Sequence, residues 1–205
     1  MFVLQNRKNN YRSMPMYNER KHRDNEIQFM INRFENNNYR DNFVNEVKND
    51  KPKIKEMTWG EPTWFFFHTL AEKIKDEYFS ELREILLRYI TRICNNLPCP
   101  DCTSHASNYL RSVNFDNIQT KEDLKHMLWK FHNVINQRKG YMLFPYEELN
   151  KKYSSAITMN IVRNFFYHYS RKQYNVRLSM DNLNRRNILK EMQLWLEKNA
   201  DKFHA

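Results

Sequence analysis

The sequence predicts an all-α fold, and three observations carry the prediction. Only two glycines occur in 205 residues, whereas sandwiches and barrels need glycine for frequent tight turns. Apolar residues recur three and four apart along several stretches, the period of an amphipathic helix. Helix-start and helix-stop residues stand at the ends of those stretches. Hydrophobic residues make up 40% of the chain and aromatic residues 15%, a globular composition long enough for one core with an appendage.

Residues 1–55 contain twelve Asn, with runs such as Asn36-Asn37-Asn38. Ile27, Met30, Ile31 and Phe34 offer one weak amphipathic stripe. The segment reads as a basic, Asn-rich N-terminal arm, partly disordered. Order is expected from about Met57. Pro62 suits the first turn of a helix, where its missing N–H needs no partner, and Trp64, Phe67, His68 and Ala71 follow at helical spacing. Leu82, Ile85, Leu86, Tyr89, Ile90 and Ile93 form the stripe of a second helix. Pro98 ends the connection, and Cys99 opens a third helix with Cys102, Ala106, Tyr109 and Leu110. Thr120 is the expected N-cap of a fourth, with Asp123 favouring the dipole in its first turn. Leu124, Leu128, Phe131 and Ile135 make its buried face, and Gly140 stands where a C-terminal glycine belongs.

Four helices with short loops read as a bundle, placed in residues 56–153. A helical extension over residues 154–205 follows. Ile157, Ile161, Phe165 and Tyr169 repeat every four residues there, and Ile188, Met192, Trp195 and Leu196 form a second stripe. This section has too little apolar surface to fold alone, so docking on the bundle or on a second chain is expected.

The formal net charge of +10 is unevenly placed. Residues 56–153 carry 13 basic and 13 acidic side chains, so the excess lies in the two flanks. A nucleic-acid reader would concentrate basic charge on its folded surface. Solvated flanks are the plain reading. The alternative is a non-enzymatic helical protein that binds nucleic acid or a membrane surface through them. The sequence has no apolar run of membrane-spanning length and no secretory pattern.

The chemistry concentrates in Leu97-Pro98-Cys99-Pro100-Asp101-Cys102, followed by His105 on the same helical face as Cys102. A helix N-terminus offers unpaired N–H groups and partial positive charge, which stabilise thiolate, the reactive form of cysteine. Two thiols at this spacing are within bonding reach and form a candidate redox pair. Half of a zinc site is another reading, but four ligands are needed, no second pair exists, and no metal is assigned. Two incidental buried cysteines, or a thioredoxin-like motif, are the remaining readings; the latter requires flanking strands. Cys94 reads as a small core residue.

The fourth helix adds an unusual face. Trp129, His132, Asn133 and Asn136 stand at i, i+3, i+4 and i+7 beside the apolar stripe. Unpaired buried polar groups are costly. The face is therefore either solvated or turned toward a planar polar ligand, such as an isoalloxazine or adenine ring. Trp64 and His68 of the first helix could close the other side.

Together these residues resemble the ERV/ALR family of FAD-linked sulfhydryl oxidases. The resemblance rests on Trp59-Gly60, Trp64 with His68, Pro98-Cys99-Pro100-Asp101-Cys102, His132-Asn133-Val134-Ile135-Asn136 and the distal Tyr153, and it covers about residues 57–153. It implies four bundle helices plus a short fifth, with FAD inside. By resemblance, Cys102 is the flavin-proximal sulfur and Cys99 exchanges with a substrate dithiol, with electrons passing to FAD and then to oxygen to give hydrogen peroxide. The implied cofactor-binding positions are Thr58, Trp59, Gly60, Thr63, Trp64, His68, Asn95, His105, Trp129, His132, Asn133, Asn136, Lys139, Lys152 and Tyr153. The implied partners are a thiol-containing protein substrate, such as a small dithiol relay protein, molecular oxygen, and a second copy in a homodimer.

The resemblance has departures. Tyr141 stands where relatives often have Lys, and Met127 stands where they commonly have Trp. Tyr146 replaces a Cys that helps form a structural disulfide, and no shuttle pair of cysteines lies outside the core. The missing shuttle pair and the Asn, Lys and Tyr richness suit a viral member of the family. Such a protein is expected in the host cytoplasm or the virion.

Overall fold

The computed structural model describes residues 58–171 and 179–204. The expected N-terminal arm, residues 1–55, lies outside the described residues. Seven helices follow one another: α1 Gly60–Lys73, α2 Asp76–Cys94, α3 Pro100–Ser112, α4 Lys121–Arg138, α5 Glu148–Tyr153, α6 Thr158–Ser170 and α7 Ser179–Lys198. Among the described residues there is no strand, only an isolated bridge between Ile74 and Phe203.

Helix boundaries follow local chemistry. Thr120 Oγ1 accepts from Asp123 N at 3.1 Å, and the Asp123 carboxylate accepts from Thr120 N at 2.8 Å. This reciprocal capping box starts α4. Gly140, at φ +69°, supplies the left-handed residue after its last turn. Cys99 is the N-cap of α3, with Pro100 in its first turn.

Helix α1 is the hub, packed against α4, α5 and α6, while α2 packs against α3 and α7. Phe66, Phe67, Leu70, Leu86, Ile93, Leu128 and Phe131 are buried in one core. The Tyr109 ring stacks on Phe131 at 4.4 Å and joins α3 to α4.

A buried lysine fastens three elements. Lys125 Nζ of α4 lies 2.8 Å from Glu72 of α1, 2.8 Å from Glu122 and 2.7 Å from Asn150 Oδ1 of α5. Glu122 also accepts from the Tyr146 hydroxyl at 3.2 Å. Losing the lysine would leave two carboxylates without their shared cation.

The C-terminal helices dock on the bundle of their own chain. Phe165 stacks on Phe66 at 4.2 Å, and Trp195 meets Tyr89 at 5.4 Å. Arg92 pairs with Glu191. The chain end is held against the α1–α2 turn, where Lys75 N donates to Lys202 O at 3.0 Å and His204 N to Lys73 O at 2.7 Å. One position departs from the sequence expectation: Ile157 is 63% exposed. It is the N-cap of α6, with extended backbone, so its side chain does not share the helical face of Phe165 and Tyr169.

Among the described residues no helix is long and apolar enough to cross a membrane.

Candidate active site

The two cysteines are joined to each other. The Cys99–Cys102 disulfide spans a Cα–Cα distance of 5.2 Å. Cys102 N donates to Cys99 Sγ at 3.2 Å, so the sulfur itself caps the helix. Both residues are half-buried, whereas Cys94 is free and buried. Burial pushes the Cys94 thiol far up, leaving it protonated and unreactive. Among the described residues no cluster of three or more His, Cys, Asp or Glu side chains could hold a metal ion.

A second centre lies between α1 and α4. The Trp64 ring stacks on His132 at 4.2 Å, nearly parallel at 9°. His68 Nε2 stands 3.2 Å from His132 Nδ1, so one imidazole donates to the other. His68 in turn stacks on Tyr153 of α5 at 4.8 Å. Trp64 also meets Phe131 edge-on at 5.0 Å. The rings therefore run from Tyr109, on the cysteine helix, through Phe131 and Trp64 to the histidine pair.

Both histidines are held neutral. Burial, then His132, then Lys152 bring His68 down to about 3. Burial, then Lys152 and Lys139, bring His132 down to about 4. The folded state thus resists protonation that the unfolded chain accepts below its ordinary histidine pKa of about 6.5. Stability is expected to fall as pH drops below about 6.5 and to level off near pH 3. The loss is on the order of 2 kcal/mol per histidine at pH 5. Melting curves between pH 7.5 and 4.5 check this; a His132→Leu variant should show a weaker acid dependence than the parent.

The remaining sequence-derived positions divide by what they touch. Trp129 Nε1 donates to Phe144 O at 2.6 Å, while Asn133 exchanges two bonds with the Phe144 backbone, at 2.9 and 2.8 Å. These two side chains hold the α4–α5 connection in place. Lys152 lies over the rings of Phe144 and Phe65, at 4.8 and 5.1 Å, and Lys139 over Tyr141 at 5.9 Å. No carboxylate among the described residues lies within ion-pair distance of either ammonium. Asn136 is half-buried one turn beyond His132.

Thr63 donates its hydroxyl to Trp59 O at 2.7 Å, which fixes the start of α1. Trp59 is buried, Thr58 is exposed, and a Cβ at Gly60 would meet nothing within 4 Å. His105 is half-buried, one turn from both Cys102 and Tyr109 on α3. Asn95 lies elsewhere: it accepts from Ser107 Oγ at 2.6 Å in a groove of about 410 Å³ between α2 and α3. Phe65, Phe131 and Phe144 join the ring cluster without having been singled out as ligand positions. Their aromatic character was visible in the sequence, but their partners were not.

The described residues thus form a helical bundle with a disulfide at a helix N-cap and a ring-lined polar centre. Residues 61–154 match the Erv1 / Alr family. The FAD-linked sulfhydryl oxidase ERV1 of Arabidopsis thaliana is 28% identical over 106 residues, covering 52% of this chain and 54% of that protein. The FAD-linked sulfhydryl oxidase of African swine fever virus (isolate Pig/Kenya/KEN-50/1950) is 26% identical over 105 residues, covering 51% of this chain and 87% of that protein. The crystal structure of the yeast Erv1 core aligns with a TM-score of 0.45 and 17% identity, over 58% of this chain and 98% of that one. The chain spans about half the length of the plant relatives it matches.

Proposed function

We propose that this chain is a FAD-dependent sulfhydryl oxidase that forms disulfides in protein dithiols and delivers the electrons to oxygen. The observation that carries the reading is the disulfide at the α3 N-cap, linked by the Tyr109–Phe131–Trp64 rings to a polar aromatic centre. The names of the relatives support it.

The donor set fits the cofactor. Trp64, His132, His68 and Tyr153 present flat faces and ring nitrogens that suit an isoalloxazine or adenine. Lys139 and Lys152, cations without an acidic partner among the described residues, suit a pyrophosphate. These residues, with Asn136, would hold FAD. The chemistry that bound FAD supplies is two-electron acceptance from a dithiol and reoxidation by oxygen, giving hydrogen peroxide.

The cysteines perform the exchange. A substrate thiolate attacks Cys99 Sγ, the Cys99–Cys102 bond breaks, and Cys102 departs as thiolate. The partial positive charge at the α3 N-terminus stabilises that charge. The second substrate thiolate then attacks its partner sulfur in the mixed disulfide and releases Cys99. The substrate leaves with one new disulfide, and two electrons and two protons stay with the Cys99–Cys102 pair.

Purified protein should carry flavin absorbance through gel filtration. It should also consume oxygen and form hydrogen peroxide when given dithiothreitol. Colourless protein that remains inert after addition of FAD would overturn the proposal. His132→Leu should lower flavin content and melting temperature together, because a bound ligand stabilises only the folded state. Full flavin occupancy with unchanged melting would place the cofactor elsewhere.

A further inference from the structure

The connection from α2 to α3 presents Cys99, and a residue far along the chain holds it. Tyr169, on α6, is fully buried. Its hydroxyl shares one proton between Ile93 O at 3.1 Å and Asn96 O at 3.0 Å. Ile93 is in the last turn of α2, and its carbonyl also accepts from Asn96 N at 3.0 Å, which turns the chain out of the helix. Asn96 lies three residues before Cys99. Around it, Asn96 Nδ2 donates to Arg92 O at 2.8 Å and Thr103 Oγ1 to Leu97 O at 3.3 Å. The connection is thus pinned from the α3 side by Thr103 and from the C-terminal section by Tyr169. The Tyr169 ring is itself fixed by stacking on Phe165 at 5.0 Å.

We infer that Tyr169 is a positioning residue for the redox pair, through which the C-terminal section sets how readily the Cys99–Cys102 disulfide closes. The inference rests on the pair being redox-active, as proposed above. Closing a disulfide requires Cys99 to be held at the N-cap with its sulfur toward Cys102. A connection tied down at Asn96 has already lost the freedom that closure would otherwise remove. Without the hydroxyl, Asn96 O loses its tie to α6, Ile93 O keeps only the bond from Asn96 N at 3.0 Å, and the connection gains freedom in the dithiol form. The equilibrium Cys99–Cys102 disulfide plus two glutathione, giving the Cys99 and Cys102 thiols plus glutathione disulfide, then shifts toward the dithiol.

The test is titration of the full chain against glutathione redox buffers, with the dithiol fraction read by alkylation and mass. Tyr169→Phe removes the hydroxyl alone. It should shift the equilibrium constant about three- to tenfold toward the dithiol, the effect of one buried hydrogen bond. Ile161→Ala is the control: Ile161 packs on the core from the first half of α6, so its loss loosens α6, lowers the melting temperature, and leaves the constant within twofold of the parent. An unshifted Tyr169→Phe, or an equal shift in Ile161→Ala, would overturn the positioning role. A parent whose Cys99–Cys102 pair fails to titrate at all would instead overturn the oxidase reading.

Discussion

Serine at Cys99 or Cys102 is expected to reduce dithiothreitol oxidation to the rate of a protein-free blank, in a chain that remains folded and flavin-loaded. The fold survives because the sulfur at position 99 acts locally as a cap, accepting from Cys102 N, and serine is among the best N-cap residues. Neither serine can accept electrons from a thiol, so exchange stops at either position. Cys94→Ala serves as the control. Cys94 is buried and free, so its loss should leave turnover largely intact. Oxygen uptake with dithiothreitol, together with flavin absorbance and circular dichroism, measures all three variants. Parent-like turnover by Cys102→Ser would remove the pair from the mechanism.

Ending the chain at Ser154 is expected to cause aggregation or a change in oligomeric mass. Phe165, Tyr169, Ile188 and Met192 are each at most 3% exposed. Burial of such a side chain contributes about 1.5–3 kcal/mol. Together they amount to on the order of 10 kcal/mol, comparable with the whole stability of a typical domain. Their removal also uncovers Phe66, which now lies under Phe165. Gel filtration and thermal melting of the truncated protein check the expectation. A soluble species of proportionate mass, melting like the parent, would show that α6 and α7 contribute little to the core.

What could be read from the sequence was local or periodic. The Thr120–Asp123 cap, the α2 stripe and Gly140 depend on neighbours within a few residues, and each has the structure its spacing implied. Trp64 and His68 are one turn apart on α1, which is why their meeting with His132 was legible. Partners distant in sequence were not. Lys125 has Glu122 close by in sequence, but Glu72 and Asn150 reach it from α1 and α5, far away along the chain. Tyr169 reads as one more apolar residue of a stripe, because nothing near it in sequence reveals that its hydroxyl donates to Ile93 O and Asn96 O. Trp129 and Asn133 stood out as a polar face, but the Phe144 backbone that takes their hydrogen bonds is recognisable only in three dimensions.

The Lys125 junction has a consequence for how the fold meets reductants. It fastens α1, α4 and α5 with charge and hydrogen bonds, next to Tyr146, whose hydroxyl donates to Glu122. Among the described residues the only sulfur–sulfur bond is Cys99–Cys102, the pair proposed to react. The contacts between the described helices therefore do not depend on any other disulfide. Reductant concentration can set the oxidation state of the working pair without acting on its scaffold, and the ammonium, shielded at 5% exposure, is largely insulated from salt as well.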